Sequence, residues 1–157
     1  MSGTGLPILK LDITKTKDLK LGVVASSWHD EIMSALKDGA ARATKDAGIE
    51  ADFYTAPGSL ELPVIAKALT EKGYDAIVVL GVVIRGGTPH FDYVCDGVTY
   101  GLMKISVETG IPIGNGVLTC DTEEQAIDRS GVEGANEDKG YEATVAALYS
   151  ATTIKHL

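Results

Sequence analysis

The chain has 157 residues, the length of a single domain, and a formal net charge of −8. That balance argues against nucleic-acid or anionic-membrane partners, and any anionic substrate must be held by local positive groups against the overall field. The two cysteines, Cys95 and Cys120, form no C-x-x-C pair and read as free thiols of a reducing compartment.

In chain order, Leu9, Leu11 and Ile13 alternate with Lys10 and Asp12, the period of a half-buried strand. Such an isolated early strand must find a sheet edge, its own or a neighbour's. Residues 19–25 read as the first central strand, closed by Ser26 and Ser27, which can cap the next element. A helix is predicted over 30–47, with Ile32, Leu36, Ala40 and Ala43 on one side and Gly48 at its end. Residues 49–54 form a weaker strand, and Pro57-Gly58 marks a turn. A helix over 59–72 carries Pro63 near its start, where proline is tolerated, and stops at Gly73. The continuous apolar run of 75–84 predicts a strand buried on both faces, as in a parallel sheet. A long helix over 91–109 ends at Gly110, and 113–119 is a fourth strand thinned by Gly114 and Gly116. Asp121-Thr122-Glu123-Glu124 opens a short helix to Arg129, and a small, acidic gap (130–138) leads to a last helix ending near Ile154.

This alternation predicts one α/β domain over 1–157, with a four-stranded parallel sheet, right-handed crossovers and helices on both faces. It is a three-layer α/β/α sandwich of the flavodoxin-like kind. Ligands then bind outside the carboxyl ends of the strands, and four segments are expected there: 26–29, 56–61, 82–90 and 115–120. No apolar run approaches the roughly 20 residues of a membrane-spanning helix, and the first residues lack a signal-peptide pattern, so a cytoplasmic location is expected.

The chemistry concentrates between Gly81 and Asp92, where the third strand gives way to its helix through Gly86 and Gly87. Helix-start amides are unpaired and face partial positive charge, so the turn can seat a phosphate; it can equally be a plain strand-to-helix turn with Thr88 as an ordinary cap. His90, at its far end, can exchange protons near neutral pH. Trp28 is either a core or interface aromatic or a stacking surface for a planar ring. Glu61 is either a helix-start carboxylate or an acceptor for a polyol. Arg85 directly precedes the glycines and has a structural reading beside a functional one; Arg129 and Lys139 are ordinary surface cations unless the fold brings them to a pocket. His29, His90 and His156 have no partners at metal-ligand spacing, and neither a phosphate-binding G-x-x-x-x-G-K-[ST] loop, a G-x-G-x-x-G turn nor a G-x-S-x-G elbow is present. A histidine, backbone donors and positioning are what remain.

Val-Ile-Arg-Gly-Gly-Thr-Pro-His-Phe-Asp-Tyr-Val-Cys (83–95) closely resembles the lumazine synthase family. So do Ala-Ser-Ser-Trp-His (25–29), Pro-Gly-Ser-Leu-Glu-Leu-Pro (57–63), Asn-Gly-Val-Leu-Thr (115–119) and Glu-Gln-Ala-Ile-Asp-Arg (124–129), in order and at matching spacings. The resemblance implies condensation of 5-amino-6-(D-ribitylamino)uracil with 3,4-dihydroxy-2-butanone 4-phosphate, a transferase step of riboflavin biosynthesis, with no cofactor or metal. It implies that Trp28 stacks on the pyrimidine, that Ser59, Leu60 and Glu61 hold the ribityl chain and ring edge, and that Val82, Val83 and Ile84 line the pocket. By the same resemblance Gly87 and Thr88 would bind phosphate and His90 would shuttle protons. Asn115, Arg129 and Lys139 would arrive from a neighbouring subunit, Arg129 on the phosphate and Asn115 on the uracil.

Many members carry phenylalanine where this chain has Trp28, Leu60 and Asn115; tryptophan and asparagine here resemble an actinobacterial-like subgroup. The segment between Arg129 and Lys139 looks slightly longer than in members that form closed sixty-subunit shells, which implies a free homopentamer. Residues 1–18 would then lie at the subunit interface, and a riboflavin synthase is a conceivable partner. The competing readings are a flavin- or lumazine-binding module of the same fold without turnover, and a ring-forming structural protein.

Overall fold

The computed structural model describes residues 9–157. The elements run α1 (Ile13–Thr16), β1 (Leu21–Ser26), α2 (Asp30–Asp46), β2 (Ala51–Ala56), a 3-10 turn (Ser59–Glu61), α3 (Leu62–Thr70), β3 (Ala76–Ile84), α4 (His90–Thr109), β4 (Ile113–Cys120), α5 (Glu123–Ile127) and α6 (Lys139–Lys155). The four strands form one parallel sheet in the order β2-β1-β3-β4. The expected three-layer α/β/α architecture is the one observed.

The central strands are buried on both faces because their apolar residues face both helical layers. Val23, Ala25, Val78 and Leu80 pack under α2 and α6, while Val24, Ile77 and Val79 pack under α3 and α4. Glycine sets how near α6 can come. A Cβ on Gly114 of β4 would lie 2.2 Å from the Ala143 carbonyl oxygen, and one on Gly140 would lie 2.1 Å from that of Leu36 in α2. Gly48 and Gly110 close α2 and α4 at φ 71° and 70°, the left-handed conformation such ends favour.

Four local expectations are corrected. The alternation at Leu9–Ile13 is not a strand within this chain: residues 9–12 are irregular and Ile13 opens α1. Asp12 Oδ1 accepts from the Thr14 amide at 3.0 Å and caps that turn, and the buried Thr16 hydroxyl donates to the Ala47 carbonyl at 2.6 Å. Among the described residues the segment pairs with no strand of its own chain, and local capping decides its shape. Ser26 and Ser27 do not cap α2. His29 holds the cap position, while the Ser27 hydroxyl donates to the Ala56 carbonyl at 2.8 Å, tying β1 to β2 at their carboxyl ends. The 59–72 helix is a 3-10 turn followed by a shorter α3, since Pro63 has no N–H to extend an α-helical ladder backward. The acidic-start helix ends at Ile127, leaving Arg129 beyond it.

Candidate active site at the carboxyl edge of the sheet

From β1 the chain steps outward to β2, then crosses back to β3 on the other side. The connections after β1 and β3 therefore leave in opposite directions and open a crevice at their carboxyl ends, the usual ligand position in such sheets. Trp28 and His29 follow β1, and 85–89 follow β3, so both lie at this switch point.

On the β1–β2 side, Trp28 is 68% exposed despite its size. A Cβ on Gly58 would lie 3.7 Å from the Trp28 indole nitrogen and 3.1 Å from Glu61 Oε2, so one glycine separates the aromatic plate from the carboxylate. The Ser59 hydroxyl lies 3.4 Å from the Val82 carbonyl, joining the 3-10 turn to β3. Leu60 is half exposed, Val82 is buried, and Val83 and Ile84 are half-buried where the strand surfaces. The sequence-predicted pyrimidine-side residues Trp28, Ser59, Leu60, Glu61 and Val82 to Ile84 thus sit along one edge.

On the β3–α4 side, Gly86 and Gly87 meet open space, with no atom within 4 Å of a Cβ added at either. Among the described residues nothing accepts a hydrogen bond from the amides of Gly86, Gly87 or Thr88. The Thr88 hydroxyl accepts from the His90 amide at 3.4 Å, and His90 is the exposed first residue of α4. Arg85 is occupied elsewhere. Its Nε donates to Asp121 Oδ1 at 2.7 Å, its Nη1 to Asp92 Oδ1 at 3.2 Å, and its guanidinium lies 4.1 Å from the centre of the Phe91 ring. The Asp121 and Asp92 carboxylates hold its pKa above the ordinary arginine value despite partial desolvation. Arg85 therefore clamps the ends of β3, β4 and α4 around the glycine turn, and its charge is spent on two carboxylates. The turn offers dipole and amides but has no cation of its own for a dianionic phosphate.

The remaining predicted residues sit on β4, just beyond α5 and at the head of α6. Asn115, expected at the carboxyl edge, stands level with Val79, well down β4, because that strand runs on to Cys120. Its Oδ1 accepts from the Val117 amide at 3.0 Å, and it is exposed on an edge strand. Arg129 follows α5, with Nη1 donating to the Gln125 carbonyl at 2.8 Å and, among the described residues, no carboxylate within ion-pair distance. Lys139 opens α6 between Glu137 and Glu142, the latter at 2.6 Å. Burial works against its charge, yet the two carboxylates hold its pKa above the ordinary lysine value. Among the described residues no group of three or more His, Cys, Asp or Glu side chains is placed to share a metal ion.

The model of the 6,7-dimethyl-8-ribityllumazine synthase family matches residues 18–155. This chain belongs to that family. The 6,7-dimethyl-8-ribityllumazine synthase of Streptomyces coelicolor is 60% identical over 156 residues, covering 99% of this chain and 96% of the relative. Those of Arthrobacter sp. (57% over 159 residues; 99% and 98% covered) and Nocardioides sp. (52% over 159 residues; 100% and 97%) are also similar along their full length. Three features of this member escape a reading of its sequence. Arg85 has a structural reading there, but its partners Asp92 and Asp121 lie too far apart in sequence to announce the clamp. The backbone turn at His29 carries no compositional mark beyond the tolerance of histidine for such conformations. The exposed stripe of Tyr93, Tyr100, Met103 and Val107 on α4 does leave a signal, a 7-3-4 spacing of large apolar residues.

Proposed function

We propose that this chain condenses 5-amino-6-(D-ribitylamino)uracil with 3,4-dihydroxy-2-butanone 4-phosphate to give 6,7-dimethyl-8-ribityllumazine, phosphate and two molecules of water. The observation that carries the reading is His90 at the head of α4, beside the unpartnered amides of Gly87 and Thr88 and at the same sheet edge as Trp28. The uracil amine forms an imine with the ketone, losing water. A proton leaves C3 as phosphate leaves C4, the resulting enol becomes a ketone, and the ribitylamino nitrogen closes the ring with loss of the second water. His90 accepts and returns those protons, and the helix-start amides hold the departing phosphate. Trp28 stacks on the pyrimidine while Glu61 accepts from ribityl hydroxyls. Orienting two small molecules is itself worth several kcal/mol of the barrier.

The working unit we propose is a free homopentamer. The apolar stripe on α4, with Leu60 and Val64 beside it, supports such an interface. A neighbour's Arg129 would supply the cation that the glycine turn lacks, and its Asn115 would meet the uracil, with Lys139 nearby. The free thiols of Cys95 and Cys120 fit a cytoplasmic enzyme, and a riboflavin synthase would consume the product.

Mixing purified protein with both substrates and following lumazine absorbance tests the reaction; a rate equal to the uncatalysed background overturns it. His90→Ala should slow turnover roughly a hundredfold or more while the assembly sediments unchanged.

A further inference from the structure

The connection from β1 to α2 is three residues long: Ser27, Trp28 and His29. Ser27 is fixed to the end of β2 through its hydroxyl bond to the Ala56 carbonyl at 2.8 Å. His29 is fixed to α2, its carbonyl accepting from the Met33 amide at 2.9 Å. Its backbone sits at φ 60°, ψ 68°, and among the described residues it is the only non-glycine with positive φ. A side chain in that region crowds the following carbonyl, and the conformation persists only where the surroundings impose it. The imidazole gives little in return. It makes no cap hydrogen bond, and its Nδ1 lies 4.0 Å from Glu123 Oε1, an exposed carboxylate. Between these two pinned residues, Trp28 alone projects outward, beside Gly58 and Glu61.

We infer that His29 is a positioning residue, whose left-handed backbone turns the chain so that Trp28 faces the pyrimidine site. The inference deepens the proposed function and rests on it for the identity of the ligand. What matters at position 29 is the backbone angle, so residues that accept positive φ should serve and residues that resist it should not. Asparagine and glycine accept it; valine, branched at Cβ, does not.

Trp28 is the sole tryptophan, so its fluorescence reports the site directly. With ribitylaminouracil alone as titrant, quenching of Trp28 should give H29V a Kd about tenfold weaker than wild type. H29N and H29G should stay within about threefold. In turnover, H29V should raise KM for the pyrimidine in the same proportion and move KM for the butanone phosphate by less than threefold. Without ligand, the iodide quenching constant of Trp28 should change in H29V and be kept in H29N and H29G. H29A, which retains a Cβ without branching, replaces H29V if that variant does not fold. Wild-type values in H29V, or equal losses in H29V, H29N and H29G, overturn the inference, the latter by assigning the effect to the imidazole. If wild type itself fails to bind the pyrimidine, the proposed function falls, and the iodide constants still decide the role of His29.

Discussion

In the layer formed by α2 and α6, α6 meets both β4 and α2 so closely that only glycine fits between backbones, whereas the layer formed by α3 and α4 leaves Val64, Tyr93, Tyr100, Met103 and Val107 in water. The first layer is the better covered within one chain, its exposed large apolar residues being Tyr149 and Ile154 of α6. Several of its outer groups are paired, Arg42 with Asp138 at 2.6 Å and Tyr141 with Asp46 at 2.9 Å. The second has an apolar outer face and ends at the glycine turn, which holds open amides and no cation. The difference locates what the chain lacks. Both the uncovered surface and the missing positive charge lie on the α3–α4 side, so a single added partner there could satisfy both needs.

The largest effect should come from placing a charge on that stripe. Met103→Glu should abolish the proposed pentamer in sedimentation, since a desolvated carboxylate at each interface costs on the order of 3–5 kcal/mol. Within one protomer the same side chain is exposed, so its fold should change by less than about 0.5 kcal/mol. An intact pentamer would move the interface off α4. Next in size is the contrast between glycines. Gly140→Ala should destabilise by roughly 3 kcal/mol in denaturant titration, because its Cβ would meet the Leu36 carbonyl oxygen at 2.1 Å and backbone must shift. Gly97→Ala on α4, where the nearest atom is Leu60 Cδ2 at 3.9 Å, should be neutral or stabilising by about 0.5–1 kcal/mol. Equal losses at the two positions would erase the distinction between the layers.

Much of the fold was legible in the sequence. The unbroken apolar run of β3 marks a strand buried on both faces, and the glycines after α2 and α4 mark their ends. The Leu9–Ile13 alternation forms no strand with the sheet of its own chain among the described residues, because a strand is a relation between two segments and the alternation names only one of them. Asn115 was misplaced for a similar reason. Its height on the sheet depends on pairing with Val79, which no local pattern reveals. At the site, Trp28, Glu61, Gly87 and His90 were readable as types suited to stacking, polyol and anion chemistry. That Arg85 is held by two carboxylates, and so cannot serve the phosphate, is visible only in the tertiary arrangement.

A smaller effect should appear at Arg129. If a neighbour's guanidinium completes the glycine turn, Arg129→Ala should raise KM for the butanone phosphate some 10- to 100-fold, the loss expected of a charge-assisted contact. KM for the pyrimidine should hardly move. Equal changes for both substrates would mean that Arg129 supports the fold at the end of β4.

The smallest effect separates the layers by pH. Lys139, at the start of α6, has its pKa raised by Glu137 and Glu142 even though burial opposes its charge. A group whose folded pKa lies above its unfolded value contributes stability that is whole below the unfolded value, about 10.4 for lysine, and is lost as pH climbs through the folded one. The stability difference between wild type and Lys139→Met should therefore be flat from about pH 6 to 9 and shrink above pH 10. Because both proteins share every other titrating group, the difference isolates this one. A gap that persisted undiminished at high pH would mean that the aliphatic stem of Lys139, packed at the head of α6, matters more than its charge, and the better cover of that layer would then be a matter of packing alone.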